Sequence, residues 1–342
     1  MPICRVYLPT FRRPELLARA VESLLRQSCQ DWVCELHNDD PQDRSPQALI
    51  DRLADSRIAV VNHEENVGAI RTFNLFFKSV QEPYFALLED DNWWEPQFLE
   101  TMISAMSKYP EVQIAWANMR CWEEGSDGSW HDTGRNIWDV DGTEPRLLHW
   151  PDPRQMNGAL HSNGAMLARS NFEYFPVPES INFAAIEPFR ERTFVHPLLF
   201  VPQRLGNFAV TRTTARPADA ASWMHAVAVL TGTYLSEIEL TPEQLRKTLE
   251  KARQGSRSTH VLFACAAHYA ACRKLIDYAS LNDWLWSVAY TLRHPQRMYE
   301  VMRLFQAKKE QEEFLKFHIQ RRQAESGPRN GLHNYEPQLT NS

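Results

Sequence analysis

The 342-residue chain has few cysteines and no block of basic residues. Its six cysteines include no Cys-x-x-Cys pair, so we expect buried, reduced thiols in a cytoplasmic protein, with no disulfide framework and no zinc site. The 37 basic and 43 acidic residues give a net charge of −6. Because nucleic-acid backbones are bound by clustered basic surfaces, we expect no nucleic-acid partner.

Long apolar runs are missing as well. The longest in the second half, 261–272, contains His268 and is far shorter than the roughly 20 residues that span a bilayer. The chain starts at once with a strand-like pattern, without a charged region followed by an apolar one, so we expect no secretion signal. A hydrophobic content of 43% with 11 tryptophans is typical of a packed globular protein.

Short apolar strands alternate with amphipathic helices over the first third of the chain. The pattern predicts strands at 4–8, 32–36, 58–61, 84–88 and 112–117, and helices at 14–25, 46–54, 69–80 and 96–109. Such alternation is typical of an α/β fold with a mostly parallel, Rossmann-like sheet, whose ligands bind beyond the carboxyl ends of the strands. The polar stretch 120–153 predicts hairpins or loops over the sheet.

After about residue 217 the pattern becomes helical. Glycine and proline become rarer, and helical spacing predicts helices at 220–235, 242–253, 259–275, 282–292 and 295–322. The length alone suggests about two domains. We therefore predict an α/β domain over 1–217, a helical domain over 218–324 and a disordered tail over 325–342.

The helical region carries tryptophan and arginine on amphipathic stretches, including Trp284, Trp286, Arg293 and Arg297. This composition suits a helix that lies on a membrane surface near a lipid-linked acceptor. Packing within the chain, or contact between copies in a homo-oligomer, also explains it and is the interpretation that we favour.

Three consecutive carboxylates follow the fourth predicted strand. Glu89, Asp90 and Asp91 come directly after the apolar run 84–88, and like charges so close together need a compensating cation. Mg²⁺ and Mn²⁺ are suitable, because both prefer carboxylate oxygen and bind through one or two carboxylates plus substrate phosphates. The structural alternative is an acidic helix N-cap.

A second acidic pair, Asp39 and Asp40, ends the second predicted strand. An α/β sheet would place this pair, the 89–91 carboxylates and the loop 9–14 along one crevice. A carboxylate there can accept a hydrogen bond from a base N–H while Thr10 supplies a hydroxyl group, so the three segments together predict a nucleotide pocket. Taken alone, an Asp pair before proline is usually a turn.

Four segments of the chain form a set of motifs. They are the opening Pro-Thr-Phe-Arg-Arg-Pro-Glu-Leu-Leu with the helix after it, the pair Asp39-Asp40, the stretch from Glu65-Asn66-Val67-Gly68 to Arg71-Thr72-Phe73-Asn74, and Glu89-Asp90-Asp91-Asn92. In order and spacing this set resembles the family-two inverting glycosyltransferases, over roughly residues 1–215. The resemblance implies the A-type glycosyltransferase fold, a nucleotide-diphosphate sugar donor, with UDP as the expected nucleotide, and metal-dependent transfer.

The resemblance also assigns roles to single residues. It implies that Asp40 recognises the base, that Asp90 lies near the ribose and the metal, and that Asp91 is the ligand of Mn²⁺ or Mg²⁺. The other positions of these motifs that we expect to contact the nucleotide sugar are Pro9, Thr10, Arg13, Asp39 and Arg71. The family often has Asp where Glu89 stands, so Glu89 either touches the ligand or supports the loop.

The predicted reaction needs a base, because an acceptor hydroxyl is a poor nucleophile until a carboxylate takes its proton. In the family this carboxylate lies beyond the metal motif at a helix start, and Glu187 occupies that place here. Glu187 is our candidate base, with Glu179 and Glu191 as competitors; the alternative is that it only opens a helix. Three arginines are candidate contacts of the diphosphate or ordinary surface residues: Arg204, Arg212 and Arg216.

These features together predict an inverting glycosyltransferase. It would move a sugar from a nucleotide-diphosphate donor to a hydroxyl group of a glycan, a lipid-linked molecule or another acceptor. The alternative from another class is a non-catalytic protein that binds nucleotide sugars or supports an assembly. A nucleotidyltransferase is disfavoured, because the N-terminal region has no Gly-rich phosphate loop followed by lysine.

Overall fold

The computed structural model describes residues 1–78, 80–140, 142–171, 173–212, 219–254 and 259–326. The chain divides into two compact units. The first unit comprises 1–150, 161–176 and 194–214, and the second comprises 151–160, 177–193 and the chain from 215 onward. Two segments inside the range 1–217, which the sequence predicts as one domain, thus belong to the second unit.

The first unit begins with alternating strands and helices, as the apolar spacing predicts. Its first elements are β1 (Cys4–Thr10), α1 (Pro14–Leu25), β2 (Trp32–Asn38), α2 (Ser45–Leu53), β3 (Ile58–Asn62), α3 (Ala69–Phe76), β4 (Tyr84–Leu87), β5 (Trp93–Trp94) and α4 (Phe98–Ser107). They are followed by β6 (Ile114–Glu124), β7 (Trp130–Asn136), β8 (Arg146–Leu148), β9 (Met166–Arg169) and β10 (Leu198–Val210).

Ten strands form one sheet within the described residues, in the order β3-β2-β1-β4-β9-β6-β10-β5 along its main path. β3, β2, β1 and β4 are parallel, which confirms the α/β class. Beyond β4 the sheet is mixed, because β9 runs antiparallel to both β4 and β6 while β6 and β10 pair in parallel. β7 adds to β6 as a hairpin and β8 adds to β10.

A continuous apolar core holds the parallel strands in register. Helix α1 contributes Leu17, Ala20, Val21 and Leu24, and helix α4 contributes Phe98, Leu99, Met102 and Met106, all in one cluster with the strands. In this register Thr10 lies opposite Asn38, and Tyr7 lies opposite Leu87. The residues that follow β1, β2 and β4 therefore emerge at the same edge of the sheet.

The second unit is helical, as the sequence predicts. Its helices are α5 (Ile186–Glu191), α6 (Ala220–Glu237), α7 (Pro242–Gln254), α8 (Thr259–His268), α9 (Arg273–Ile276), α10 (Leu281–Arg293), α11 (Pro295–Ala307) and α12 (Lys309–Ser326). Helix α6 begins at an Asp219 cap, whose carboxylate accepts hydrogen bonds from the amides of Ala221 and Ser222. Residues 327–342 of the predicted tail lie outside the described residues. Among the helices described, none has the length and apolar content needed to cross a membrane.

Two of the predicted helices are interrupted in the structure. The stretch 259–275 breaks at Tyr269, whose backbone is extended and whose ring lies so close to Gly232 that a Cβ there would be 2.0 Å from it. The stretch 295–322 breaks at Lys308, whose Nζ donates to the carbonyl oxygen of Ser180 at 2.7 Å. Tertiary contacts make both breaks, and helical spacing carries no signal for them.

Candidate functional site

The ends of β1, β2 and β4 are joined by hydrogen bonds through Thr10. Its hydroxyl group donates to Asp90 Oδ2 at 2.9 Å, and its carbonyl oxygen accepts a hydrogen bond from the amide of Asp39 at 3.0 Å. Asp39, Asp40 and Asp90 are all buried. The structure therefore brings together the three strand ends that the sequence predicts to form a crevice, and we call this edge the carboxylate rim.

Asp90 and Asp91 share one guanidinium group. Arg13 Nη1 lies 3.3 Å from Asp90 Oδ1 and 3.0 Å from Asp91 Oδ2. Burial, and next the neighbouring charge of Asp91, raise the pKa of Asp90 to about 6, and burial also raises the pKa of Asp91. One arginine thus only partly compensates the two carboxylates.

The acidic pair fits a divalent cation of the magnesium type. Within the described ranges, no group of three or more His, Cys, Asp and Glu side chains is arranged to hold a metal by itself. Mg²⁺ and Mn²⁺ do not require such a group, since they commonly bind one or two carboxylates and complete their shell with substrate phosphates and water. The raised pKa values of Asp90 and Asp91 mark carboxylates that are short of positive charge.

Arg19 of α1 is part of the rim, and sequence reasoning missed it. Its guanidinium carbon lies 3.9 Å from the ring centre of Trp93 and 4.0 Å from that of Trp130, and its Nη2 donates to the carbonyl oxygen of Asp91 at 2.7 Å. Burial lowers the pKa of Arg19 to about 10. Arg19 thereby holds the backbone of the acidic turn, and only its place beside the apolar positions of α1 could have pointed to it.

Asp39 anchors the loop that follows β3. Its Oδ1 lies 2.8 Å from His63 Nδ1 and accepts a hydrogen bond from the amide of Val67 at 2.9 Å, while its Oδ2 accepts one from the amide of Gly68 at 3.0 Å. Gly68 has a φ of +82°, a conformation that glycine adopts without strain. In this structure Asp39 is thus engaged with the protein, and its contact with a nucleotide stays a prediction.

A chain of hydrogen-bonding side chains continues behind Asp39. His63 Nε2 lies 3.0 Å from His37 Nδ1, and His37 Nε2 lies 3.3 Å from a carboxylate oxygen of Glu35. Sequence reasoning also missed His63. The signal was available, because parallel pairing sets Asn38 opposite Asn62 and so places the residues after these two strands side by side.

Asp40 is held by one side chain and one backbone amide. Its Oδ2 accepts a hydrogen bond from Arg12 Nε at 2.6 Å and its Oδ1 accepts one from the amide of Gln42 at 3.0 Å. The Arg12 guanidinium lowers the pKa of Asp40, so this carboxylate is ionised at neutral pH. Pro9 lies within β1, opposite His37, and Arg71 is exposed in the first turn of α3.

Glu89 supports the acidic turn. Its Oε2 accepts a hydrogen bond from Asn92 Nδ2 at 2.7 Å, and Asn92 Oδ1 accepts one from the amide of Ala209 at 3.0 Å. A Cβ at position 164 would lie 2.6 Å from Asn92 Nδ2 and 2.8 Å from Glu89 Oε2, so Gly164 is needed for the close approach. These contacts favour loop support over ligand contact as the role of Glu89.

The candidate base Glu187 lies in the second unit. It is half-buried in the first turn of α5, after a turn in which Asn182 Oδ1 accepts a hydrogen bond from the amide of Ala184. Its competitor Glu191 is buried, and its carboxylate accepts hydrogen bonds from Gln155 Nε2 and from the amide of Leu160, both at 2.7 Å. Glu191 therefore holds the 155–160 segment, which weakens its case as a candidate base.

The candidate diphosphate arginines differ in their surroundings. Arg204 is exposed on β10, where the pairing with β6 is irregular. Arg212 is bound to the β6–β7 hairpin, because its amide donates to Glu124 Oε2 and its Nη1 donates to the carbonyl oxygen of Ser126. Arg216 lies outside the described residues.

The carboxylate rim lies in a segment that matches a known protein-family model. A model of glycosyl transferase family 2 matches residues 5–161, which include all four motifs and the whole of the rim. Over this segment the chain is similar to that family.

Curated relatives share the same part of the chain. One is the "Putative colanic acid biosynthesis glycosyl transferase WcaA" of Escherichia coli K12, 27% identical over 34% of this chain and 42% of its own length. Another is the Escherichia coli "UDP-Glc:alpha-D-GlcNAc-diphosphoundecaprenol beta-1,3-glucosyltransferase WfgD", 26% identical over 30% of this chain and 40% of its own length. The matched part of the chain thus spans about two fifths of each of these relatives.

Solved structures resemble nearly the whole chain. Residues 1–349 of S. aureus TarS superpose with a TM-score of 0.53 and 14% sequence identity, covering 94% of this chain and 92% of that one. The same TarS segment in complex with UDP-GlcNAc gives a TM-score of 0.52. At this identity the likeness establishes the fold, which is the A-type glycosyltransferase fold with a helical C-terminal region.

Proposed function

We propose that the protein is an inverting glycosyltransferase that moves a sugar from a UDP-sugar to a hydroxyl group of a glycan or lipid-linked acceptor, with Mn²⁺ or Mg²⁺ as cofactor. The observation that carries the proposal is the carboxylate rim, in which Thr10, Arg13, Asp90 and Asp91 meet beside the loop anchored by Asp39. The name of WfgD and the UDP and UDP-GlcNAc complexes of TarS favour a UDP-sugar donor.

The nucleotide would be recognised by carboxylates that are held ready in the free protein. Asp40 stays ionised beside Arg12 and offers its oxygens to a base N–H. The loop that Asp39 ties down through the amides of Val67 and Gly68 would close around the same nucleoside. Because these groups are ordered before binding, little conformational entropy is lost when the donor arrives.

Asp91 and Asp90 are the residues that would hold the cation. A divalent ion bound there would offset the negative charge that develops on the departing diphosphate. Arg13 already faces both carboxylates and would keep the pair oriented toward the donor. Arg19 donates a hydrogen bond to the backbone carbonyl oxygen of Asp91, and Arg13 contacts its carboxylate. The backbone and the side chain of the proposed ligand are therefore both held in place.

Glu187 would act as the base. Its carboxylate takes the proton of the acceptor hydroxyl while the oxygen attacks the anomeric carbon and the bond to the diphosphate breaks. A single displacement of this kind inverts the configuration at the anomeric carbon. The product of an α-linked donor would therefore carry a β linkage, which proton NMR of the product measures directly.

The proposal is tested by turnover of a panel of UDP-sugars with Mn²⁺, with and without acceptors, in the wild-type chain and in Asp91→Ala. We expect the wild type to release UDP and Asp91→Ala to lose roughly 100-fold or more of this rate, because several kcal/mol of charge stabilisation are removed. Asp51→Ala, an exposed carboxylate on α2, is the matched control and should keep its rate.

Two outcomes contradict the proposal. Full turnover by Asp91→Ala would show that Asp91 is not the metal ligand. Tight binding of UDP-sugars by the wild type without release of UDP, over a broad acceptor panel, would support a non-catalytic nucleotide-sugar-binding protein instead.

A further inference from the structure

Helices α10 and α11 of the second unit expose a large apolar surface. Half of the large hydrophobic side chains that are exposed in the described part of the chain lie between Leu281 and Met302. They are Leu281, Trp284, Leu285, Trp286, Val288, Leu292, Tyr299 and Met302. Exposed apolar side chains clustered on two consecutive helices are typical of an interaction site, and we call these eight residues the α10–α11 face.

Helix α10 is an inverted amphipathic helix, and its exposed apolar row is part of the α10–α11 face. Leu281, Leu285, Val288 and Leu292 are 76%, 61%, 52% and 75% exposed, and their spacing of four, three and four residues puts them on one side of α10. The opposite side carries Asp283 and Ser287, which are buried. An ordinary surface helix places its apolar side inward, so the arrangement here needs a partner outside the unit.

The inward side of α10 is attached to the second unit by specific contacts, and these contacts determine which side of the helix is exposed. Asp283 accepts a hydrogen bond from Arg253 Nη2 at 2.7 Å and closes a capping box with Ser280. Trp284, which is 44% exposed and belongs to the face, also packs edge-on against Phe263 of α8 at 4.5 Å between ring centres. These contacts fix the rotation of the helix and thereby keep the leucine row exposed.

Helices α10 and α11 carry more arginines than exposed carboxylates, although the protein as a whole is acidic. Between residues 281 and 307 the chain has three arginines, at 293, 297 and 303, and apart from the buried Asp283 a single acidic residue, Glu300. Arg297 is held by the hydroxyl group of Tyr290 at 2.6 Å. The whole chain has a net charge of −6, so the stretch that forms α10 and α11 differs in sign from the chain as a whole.

We propose that the α10–α11 face docks on a membrane surface that carries anionic lipid headgroups. Leucine and valine side chains would enter the boundary of the acyl chains, tryptophan and tyrosine would lie at headgroup level, and arginines would pair with phosphates. A symmetric contact between two copies is less suitable, because an isologous interface brings the same arginines of both copies together. This proposal concerns the second unit alone and does not rest on the proposed function.

The test is flotation of the full chain with lipid vesicles, without donor or acceptor. One vesicle population contains phosphatidylcholine only, and the other contains about one third phosphatidylglycerol. We expect the wild type to float with the anionic vesicles at least ten-fold better than with the neutral ones, and to lose most of this binding in 0.5 M salt, because surface charges are then screened.

Variants assign the binding to the face. Leu285→Ser with Leu292→Ser should reduce flotation at least ten-fold, and Arg293→Gln with Arg303→Gln should remove the preference for anionic vesicles. Phe317→Ser on α12 and Leu53→Ser on α2, which also change exposed apolar side chains, are the matched controls and should float like the wild type. Circular dichroism of each variant checks that the helices are intact.

Three results would overturn the proposal. The wild type could fail to bind anionic vesicles, or the leucine variant could bind them as well as the wild type does. A dimer seen by light scattering, which the leucine variant dissociates while the wild type binds no vesicles, would assign the face to a second copy of the chain.

Discussion

At the scale of single residues, the candidate site contains buried carboxylates whose ionisation lowers the folding stability of the free protein. Asp90 is buried, and its pKa of about 6 exceeds its ordinary value of 3.8. The folded state therefore binds more protons than the unfolded state between these two values, and folding stability falls as the pH rises from 4 to 6. Above pH 6 the buried carboxylate is ionised, and the resulting loss of folding stability is on the order of 2–3 kcal/mol.

Asp90→Asn should therefore stabilise the chain in metal-free buffer while impairing donor binding. We expect an increase in the free energy of unfolding of about 1–2 kcal/mol at pH 7.5 and almost none at pH 4, since the wild-type carboxyl is then protonated. Urea denaturation with EDTA at both pH values measures it. Asp51→Asn serves as the exposed control, and an equal gain at both pH values would contradict this explanation.

At the scale of elements, the apolar spacing of the sequence predicts most of the architecture, and tertiary contacts account for the differences. The strands β1 to β4 and the helices between them follow the predicted ranges closely because each buries one continuous apolar pattern. The predicted helix 259–275 fails at Tyr269, where packing against Gly232 decides the backbone. Likewise the motifs predict that Asp39, Asp90 and Asp91 lie at one edge of the sheet. Arg19 and His63 join them through contacts with Asp91 and Asp39, which are distant in sequence.

The contact between α6 and Tyr269 gives a prediction with an unusual sign. Gly→Ala in a helix usually stabilises by about 1 kcal/mol, but a Cβ at position 232 would lie 2.0 Å from the Tyr269 ring. Gly232→Ala should therefore destabilise the chain by about 1–3 kcal/mol through overpacking. The coupling between the two positions is measured by thermal unfolding of Gly232→Ala, of Tyr269→Leu and of the double variant. If the two changes in unfolding free energy simply add in the double variant, the predicted clash does not exist.

At the scale of the whole molecule, the residues with predicted roles are divided between two units. The carboxylate rim lies in the first unit, and Glu187 lies in the second, in a segment that the sequence predicts as part of the catalytic domain. Apolar spacing does not reveal such a division, because membership in a compact unit depends on contacts between distant segments. The predicted donor-binding residues and the candidate base thus belong to different compact units of one chain.

Glu187→Gln should separate donor binding from transfer. Since the proposed role of Glu187 is to take a proton from the acceptor, UDP affinity should stay within two-fold of the wild type, while transfer should fall by roughly 100-fold or more, which is the usual contribution of a general base. Calorimetry with UDP and Mn²⁺ and the turnover assay give the two numbers. Glu179→Gln should retain transfer, and unchanged transfer by Glu187→Gln would place the base elsewhere.

The chain from Glu35 through His37 and His63 to Asp39 has a consequence for proton number. Its four groups make three contacts, and His37 takes part in two of them through its two ring nitrogens. Burial lowers the pKa of His37 to about 4, so near neutral pH that ring carries a single N–H proton. It can therefore donate toward Glu35 or toward His63 but not toward both, and the tautomer of one buried ring sets the direction of hydrogen bonding behind Asp39.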